Sequence, residues 1–510
     1  MKQLIATAAA AVLLASTATA QLPASPRPAA APAYDAEGWV SDLQVVRQAM
    51  ATRYANLQWA AEEREMNLAA AFDSAERQLR GFEHDSQARA LFDRFEQRLG
   101  DGHVEFRWPE PAAAAAVEPQ SPPDPCASIG VQTYTDGRAI GPRLSGYRPI
   151  GPVDAHFPTG LVSVEGRTVG VLRVPVFMAT TRPELCAQAL SALSRPAGAA
   201  WDDQARRQLQ SSLNGLYSAA FIAALDRLKD AGAEVLLLDL AGNPGGSEWA
   251  EAAARMLTPV RLESARLAVV RHPHWLEQIR MRMTDLDAAI AASRGADRQR
   301  LQSLRAELLA MRAEVERPCD ASALLQRRPA PCAITVAGPI RATGLLASGD
   351  PALREHPTWT SLFDPYRLDW REGVWRGPLL VLVDEGSASA AEEVAATLQD
   401  NRAALIIGAP TMGAGCGFVN GGIPTPLPHS GGTLMLPDCV RLRADGSNEV
   451  MGVQPDLLIG IRRFDGLRRR ALRVDAALPE AVRRAASTAR PPAPSAAAAP
   501  SAPSMSRSAG

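Results

Sequence analysis

Residues Pro378 to Asp400 read Pro-Leu-Leu-Val-Leu-Val-Asp-Glu-Gly-Ser-Ala-Ser-Ala-Ala-Glu-Glu-Val-Ala-Ala-Thr-Leu-Gln-Asp. Leu379 to Val383 is an unbroken apolar run, too short for a helix. It predicts a strand buried on both faces, as in a parallel sheet. Asp384, Glu385 and Gly386 break the run. From Ala390 the Ala, Glu, Leu and Gln residues favour a helix. A buried strand therefore ends in a tight glycine turn, with Ser387 and Ser389 where a helix begins. Open α/β sheets carry their sites at the carboxyl ends of strands. A helix N-terminus offers unpaired N–H groups that suit an oxyanion. A serine in this place is a candidate nucleophile. Ser389 and Glu392 also have the spacing of an N-terminal capping box, so the stretch by itself leaves nucleophile and cap both open.

A second strand-to-helix turn lies upstream. Val235 to Leu240 is apolar apart from Asp239 and runs into Ala241-Gly-Asn-Pro-Gly-Gly246, with a helix predicted from Glu248 to Leu257. A long helix is predicted over Ala205–Asp230. Val169 to Phe177 reads as a strand, with Pro175 at an edge or end. Strand and helix alternate, which predicts an α/β fold with a mainly parallel sheet. Downstream, Ala404–Gly408 is a short strand. Thr411 to Gly417 is a glycine-rich loop without the Gly-Lys-Ser/Thr ending of a phosphate loop. Thr433–Leu436 and Cys439–Arg443 read as paired strands.

Toward the N-terminus, Trp39, Leu43, Val46, Met50 and Tyr54 recur at helical spacing, followed by helices over Asn67–Leu79 and around Ala88–Leu99. Residues 35–105 form a small helical domain in this reading. It ends in Gly100-Asp-Gly-His103, where the glycines stop the helix. Residues 106–165 are a Pro/Gly-rich connector, and 166–475 the α/β domain. Within it, about 271–335 is an insertion. His274–Glu316 reads as a helical hairpin with Met281, Leu286, Ile290, Leu301, Leu304, Leu308 and Met311 along its seam. It is a candidate lid or protein-partner surface, closed at its base by a Cys319–Cys332 bridge. Residues 476–510, rich in Ala, Pro, Ser and Arg, read as a disordered tail.

Residues 1–20 have the form of a secretory signal: Lys2, an apolar core from Leu4 to Leu14, and Ala18-Thr-Ala20 as the cleavage site. Residues 21–34 read as a flexible linker. No later segment reaches the apolar length of a membrane span. An exported, periplasmic protein is expected, with secretion as the alternative. The six cysteines fit that compartment as disulfides. Nearest-neighbour pairing joins Cys319 to Cys332 and Cys416 to Cys439. The net charge of -1 and the lack of a basic block argue against a nucleic-acid partner.

Four stretches together resemble the tail-specific, or C-terminal-processing, serine peptidase family, whose members include the tricorn protease core. They are Gly100-Asp-Gly-His-Val, Leu238-Asp-Leu-Ala-Gly-Asn-Pro-Gly-Gly246, the serine stretch through Asp400, and Gly452-Val-Gln-Pro-Asp456. The resemblance implies a crotonase-like mixed sheet with flanking helices and a preceding helical domain. It implies peptide-bond hydrolysis through an acyl-enzyme, on a peptide or unfolded-protein substrate, with no metal or organic cofactor. Ser389 matches the nucleophile, and Ser387 becomes a structural neighbour. The N–H groups of Ala390 and of Gly245 or Gly246 match the oxyanion hole.

The base departs from the commoner pattern. Many members carry a lysine where this chain has Ala414, in Gly413-Ala-Gly415. Lys2 and Lys229 are the only lysines, and Lys229 precedes its strand, at the wrong end for the chemistry. Arginine stays protonated and cannot serve. The tricorn-like branch uses a histidine and a glutamate instead, matching His103 as general base and Glu449 as the group that orients the imidazole or stabilises the site. That branch has a serine before the histidine, where this chain has Gly102. The usual arginine in the first glycine turn is Ala241. The short Pro/Gly-rich connector leaves no room for a complete PDZ module. The alternative is a relative without activity that binds a peptide or an apolar ligand, as loss of the lysine would allow.

Overall fold

The computed structural model describes residues 33–109, 124–152, 155–193, 201–349 and 358–488. The predicted signal and almost all of the linker after it lie outside these residues.

Three helices come first: α1 (Ala36–Arg53), α2 (Leu68–Leu79) and α3 (Asp85–Leu99). Trp39, Leu43, Val46 and Met50 of α1 are buried against Phe72 and Phe92, as the helical spacing requires. Fully burying such side chains contributes about 1.5–3 kcal/mol each. Gly100 ends α3 in the left-handed conformation, with φ 65°, and accepts no β-carbon cost there. The chain then enters β1 (Glu105–Arg107). The helical region is not free-standing. Its core takes in Leu427, Leu434, Leu436 and Val450 from the far end of the chain.

The central sheet begins earlier than the predicted boundary at 166. Strands β2 (Arg148–Ile150), β3 (Thr159–Val164), β4 (Arg167–Arg173) and β5 (Val235–Asp239) all belong to it. The connector is thus partly sheet: a short turn, Glu165-Gly166, makes β3 and β4 a hairpin across the assumed junction. Strand β4 stops before Pro175 and is interior, so the proline marks an end and not an edge.

After β5 come β6 (Arg266–Val270) and β7 (Thr335–Arg341), then β8 (Leu379–Val383) and β9 (Leu405–Gly408). The last strands are β10 (Thr425–Pro426), β11 (Thr433–Met435), β12 (Cys439–Leu442) and β13 (Leu457–Leu458). The seven-stranded sheet has the order β13-β9-β8-β5-β4-β3-β2. Its β13, β9, β8, β5 and β4 run parallel. Every residue of β5 and β8 is buried, which is why both read as continuous apolar runs. Asp239 pairs with Leu382, and Val383 with Gly408. The loops after β5, β8 and β9 therefore leave the sheet side by side.

Thr433–Met435 and Cys439–Leu442 are not partners of each other. Strand β11 joins β1 and β10, while β12 joins β6. The β1–β11 pair fastens the end of the helical region to the sheet domain.

The helical hairpin is present, as Pro273–Ala292 and Gly295–Val315. It is not a solvated appendage. Trp275, Ile279, Leu286, Leu301, Leu308 and Met311 belong to the main core, while Met281 is 41% exposed and off the seam. The Cys319–Cys332 bridge closes the short segment after the hairpin, not its base. Ala321 N–H in that segment donates to Ala51 O of α1 at 2.9 Å. Cys416–Cys439 and Cys126–Cys186 are also bridged.

The tail does not begin at 476. A helix spans Leu467–Thr488. Ala471, Val474, Leu478, Ala481, Val482 and Ala485 recur at helical spacing and bury one face on the sheet. The rest of the predicted tail lies outside the described residues. No described helix is long and apolar enough to cross a membrane.

Candidate active site

The glycine turns after β5 and β8 are stapled together. Asp384 Oδ1 accepts the N–H of Gly242 at 2.7 Å and of Gly386 at 2.9 Å. Ser387 Oγ–H donates to Leu240 O at 2.8 Å and accepts Asp384 N–H at 3.0 Å. Ala388 N–H donates to Asn243 O at 2.9 Å. Ser387 is fully buried by these bonds, which leaves it a structural part. Arg470 of the C-terminal helix ties down the other Asp384 oxygen at 2.6 Å.

Ser389 follows in a conformation rare for a residue with a side chain, φ 52° and ψ −116°. Such backbone costs about 1–3 kcal/mol and clusters at functional sites. The helix Ala390–Asp400 starts directly after it. The predicted capping box forms, and its backbone arm runs from Ser389 N–H to Glu392 Oε2 at 2.8 Å. Cap and candidate nucleophile are therefore the same residue.

Gly245 lies against this turn. A β-carbon there would sit 2.7 Å from Ser389 Cβ and 2.9 Å from Ala390 N. Its N–H is already committed to Asn243 Oδ1 at 2.8 Å. Asn243 also donates Nδ2–H to Val174 O at 2.9 Å, so its side chain shapes the turn. Gly246 runs beside Phe177 as a bridge. Among the described residues, the N–H groups of Gly246 and Ala390 have no hydrogen-bond partner.

Glu392 has a larger part than capping. Its carboxylate is fully buried and accepts four bonds. Thr411 Oγ1–H donates to Oε1 at 2.6 Å and Gly413 N–H at 2.7 Å. Ser389 N–H and Ala414 N–H reach Oε2 at 2.8 and 2.9 Å. Burial and nearby Glu449 raise its pKa above the ordinary value, and the bonds from Thr411, Ala414 and Gly413 pull it back. Sequence reading gave Glu392 only a cap spacing. Nothing in that spacing signals the second loop.

His103 sits in the turn between α3 and β1. Its N–H donates to Asp101 Oδ1 at 3.0 Å, and its Nδ1 lies 2.6 Å from Ala414 O. A carbonyl can only accept, so Nδ1 carries the proton of the neutral ring and Nε2 keeps the lone pair. The ring meets Phe418 edge-on at 5.5 Å. Asp101 is held by Tyr54 Oη–H at 3.0 Å and Asn56 Nδ2–H at 2.8 Å. Burial raises its pKa, against the pull of those bonds and of His103.

Glu449 has no direct bond to the imidazole. Its Oε1 pairs with Arg441 Nη1 at 2.7 Å. Its Oε2 is buried without a partner among the described residues. The link between the two turns runs through neighbours. Asn448 Nδ2–H donates to Asn56 Oδ1 at 2.8 Å, and Asn56 in turn donates to Asp101. Arg441 also faces Glu393 at 3.3 Å, so Glu449 belongs to a buried ionic group behind the loop. Asp400 and Gln399 bind Arg443 and the Gly452–Asp456 segment, which makes them structural.

The structure thus gathers Ser389, Ala390, Gly245 and Gly246 at the strand ends. It connects His103 to them through Ala414 and Glu392, and keeps Glu449 one step removed. The sequence profile described as Peptidase family S41 matches residues 208–459. A carboxy-terminal-processing protease from Bartonella bacilliformis (strain ATCC 35685 / KC583 / Herrer 020/F12,63) is 36% identical over 84 residues, 16% of this chain. That match spans only 18% of the relative's length. Mature CPAF complexed with lactacystin aligns over 89% of this chain and 99% of its own, at 16% identity and a TM-score of 0.57. Mature CPAF alone aligns over 89% and 98%, at 14% identity and a TM-score of 0.55. At such identities these two structures establish a shared fold. With its matching profile, its fold and its serine turn, the chain belongs to peptidase family S41.

Proposed function

We propose that this protein is an exported serine peptidase acting on peptide or unfolded-protein substrates, with Ser389 as nucleophile and His103 as general base. The observation that carries this reading is the strained backbone of Ser389, with φ at 52°. It holds a hydroxyl at the mouth of a helix, beside a glycine turn that has room for nothing larger. The name of the Bartonella relative, a carboxy-terminal-processing protease, supports the reaction class.

In this scheme Ser389 Oγ attacks the substrate carbonyl carbon, and its proton passes to His103 Nε2. Charge collects on the carbonyl oxygen, where the N–H groups of Gly246 and Ala390 stabilise it. Gly245 keeps the space open. Removing one such donor typically costs about 10²–10³ in rate. The C–N bond breaks as the imidazolium gives its proton to the leaving amine. Water, losing its proton to the same imidazole, then cleaves the acyl ester and restores Ser389. Glu449 supports the loop from behind through Arg441. Three disulfides favour an oxidising compartment, in agreement with export.

A serine-directed fluorophosphonate probe on the purified protein tests the assignment. Wild type should label, Ser389→Ala should not, and Ser387→Ala should still label. His103→Ala should slow labelling by about 10²–10⁴-fold, the usual contribution of a general base. Labelling that survives Ser389→Ala overturns the reading. A wild type that neither labels nor cleaves would leave a peptide- or apolar-ligand-binding relative.

A further inference from the structure

The group that orients His103 is not an acid. We infer that the Ala414 carbonyl sets the tautomer of the base, and that Glu392 is the positioning residue that holds this carbonyl and the Ser389 turn in one frame. The inference rests on the peptidase reading for its purpose, but its test includes a readout, the tautomer of the ring, that does not depend on activity.

The geometry runs from one carboxylate. Glu392 Oε2 receives both Ser389 N–H and Ala414 N–H, at 2.8 and 2.9 Å. Ala414 then presents its carbonyl to His103 Nδ1 at 2.6 Å. Two residues far apart in sequence are thus placed by a single oxygen of one side chain. The other oxygen fixes the same loop through Thr411 and Gly413, at 2.6 and 2.7 Å. Thr411 Oγ1 in turn accepts Val453 N–H at 2.7 Å, so the loop cannot slide.

All four partners of Glu392 are donors. Only a carboxylate accepts four bonds and offers none. Glutamine would place an NH₂ against two N–H or O–H donors. Aspartate is one methylene short. Meanwhile Glu449, the acid matched by sequence pattern, is spent on Arg441 at 2.7 Å. A neutral carbonyl fixes the ring and its tautomer as a carboxylate would, without adding a charge beside it.

The test is the protonation pattern of the ring. Full-length protein labelled with ¹⁵N-histidine is examined by long-range ¹H–¹⁵N correlation at a pH where His103 is neutral, with His103→Ala for assignment. Wild type should show a protonated Nδ1 and a bare Nε2. Glu392→Gln should mix the two tautomers and slow fluorophosphonate labelling about 10²-fold, as expected for a small misplacement of reacting groups. Thr411→Val removes one of the four donors and should give a smaller effect of the same kind. Glu449→Gln should leave the tautomer in place.

A wild-type ring protonated at Nε2 overturns the inference, as does a folded Glu392→Gln with unchanged tautomer and rate. Should Glu392→Gln fail to fold, wild type and Thr411→Val still decide. An unreactive Ser389 with the expected tautomer would sink the peptidase reading alone. A reactive Ser389 with the reversed tautomer would sink the positioning role alone.

Discussion

His103 Nδ1 lies 2.6 Å from the carbonyl oxygen of Ala414, and Ala414 stands where many relatives by sequence pattern carry a lysine. The contact needs the chain on both sides to be close. A β-carbon on Gly102 would come within 2.9 Å of Ala414 Cβ. Restoring the serine of the tricorn-like pattern should therefore push the His103 turn outward. Gly102→Ser is expected to lower the labelling rate by about 10²-fold, the cost of a misplacement near 1 Å. A rate equal to or above wild type would show that the turn has slack.

Ser389 is a non-glycine residue with φ at 52°. Glycine adopts such backbone readily and alanine does not. Both Ser389→Gly and Ser389→Ala remove the hydroxyl, so their difference isolates the strain. Ser389→Gly should melt higher than Ser389→Ala by the equivalent of about 1 kcal/mol, at the low end for strained backbone. Equal melting temperatures would mean that the turn stores little strain.

Gly245 faces Ser389 Cβ, Ala388 O and Ala390 N, each within 2.9 Å of where a β-carbon would stand. Its φ of 107° adds backbone strain to any substitution. Gly245→Ala should displace the Ser389 turn and reduce ester hydrolysis by about 10²-fold, as a small misplacement of reacting groups does, through kcat more than KM. An effect confined to KM would place Gly245 in binding and not at the reacting centre.

Glu393 is buried in the ionic group behind the site. Burial raises its pKa well above the ordinary 4.5, with neighbouring Glu251 and Glu449 adding to the rise and Arg441 opposing it. Above the ordinary value an unfolded glutamate loses its proton while the folded one keeps it. Folding then takes up a proton, so this group makes stability fall as pH rises, until the folded group ionises too. Glutamine keeps the shape and can still donate toward Glu251. Glu393→Gln should therefore be more stable than wild type near pH 8 and show a flatter loss of stability between pH 5 and 8. Denaturant unfolding across that range checks it; a variant less stable at pH 8 would contradict the sign.

Cys416 lies two residues after Ala414 in the loop that contacts His103, and its bridge to Cys439 ties that loop to β12. A β-carbon on Gly417 would lie 2.8 Å from His103 Nε2, so the clamp sits against the working face of the ring. Replacing both cysteines by serine should slow fluorophosphonate labelling. The same change at Cys319 and Cys332, on the segment that packs against α1, should lower the melting temperature with a smaller effect on rate. The reverse ranking would show that the clamp only stabilises.

Much of the frame was legible because it rests on apolar runs. Leu379–Val383 and Val235–Asp239 announce strands buried on two faces, and the glycines after them announce the turns. The C-terminal helix was missed because its Arg-rich sequence and Pro479 resemble a solvated tail, although its apolar residues keep helical spacing. The hairpin seam was nearly right, but charge on one face hid how much of the other enters the core. At the site, side chains with known chemistry could be found by pattern. The Ala414 carbonyl could not, since backbone carries no signature of its own. Glu392 was visible, yet a cap explained it fully until the loop after β9 was seen to share it. Glu449 matched by position, while its partner Arg441 lies in a strand that no motif marks.

Arg470 reaches back to Asp384 at 2.6 Å, and Asp384 holds the two glycine turns together. The serine turn thus depends on a residue made long after it. During synthesis the ribosome delivers the strand, both turns and Ser389 well before it delivers the guanidinium that locks them. Until translation has passed Arg470, the chain lacks the guanidinium that ties down Asp384 between the two turns.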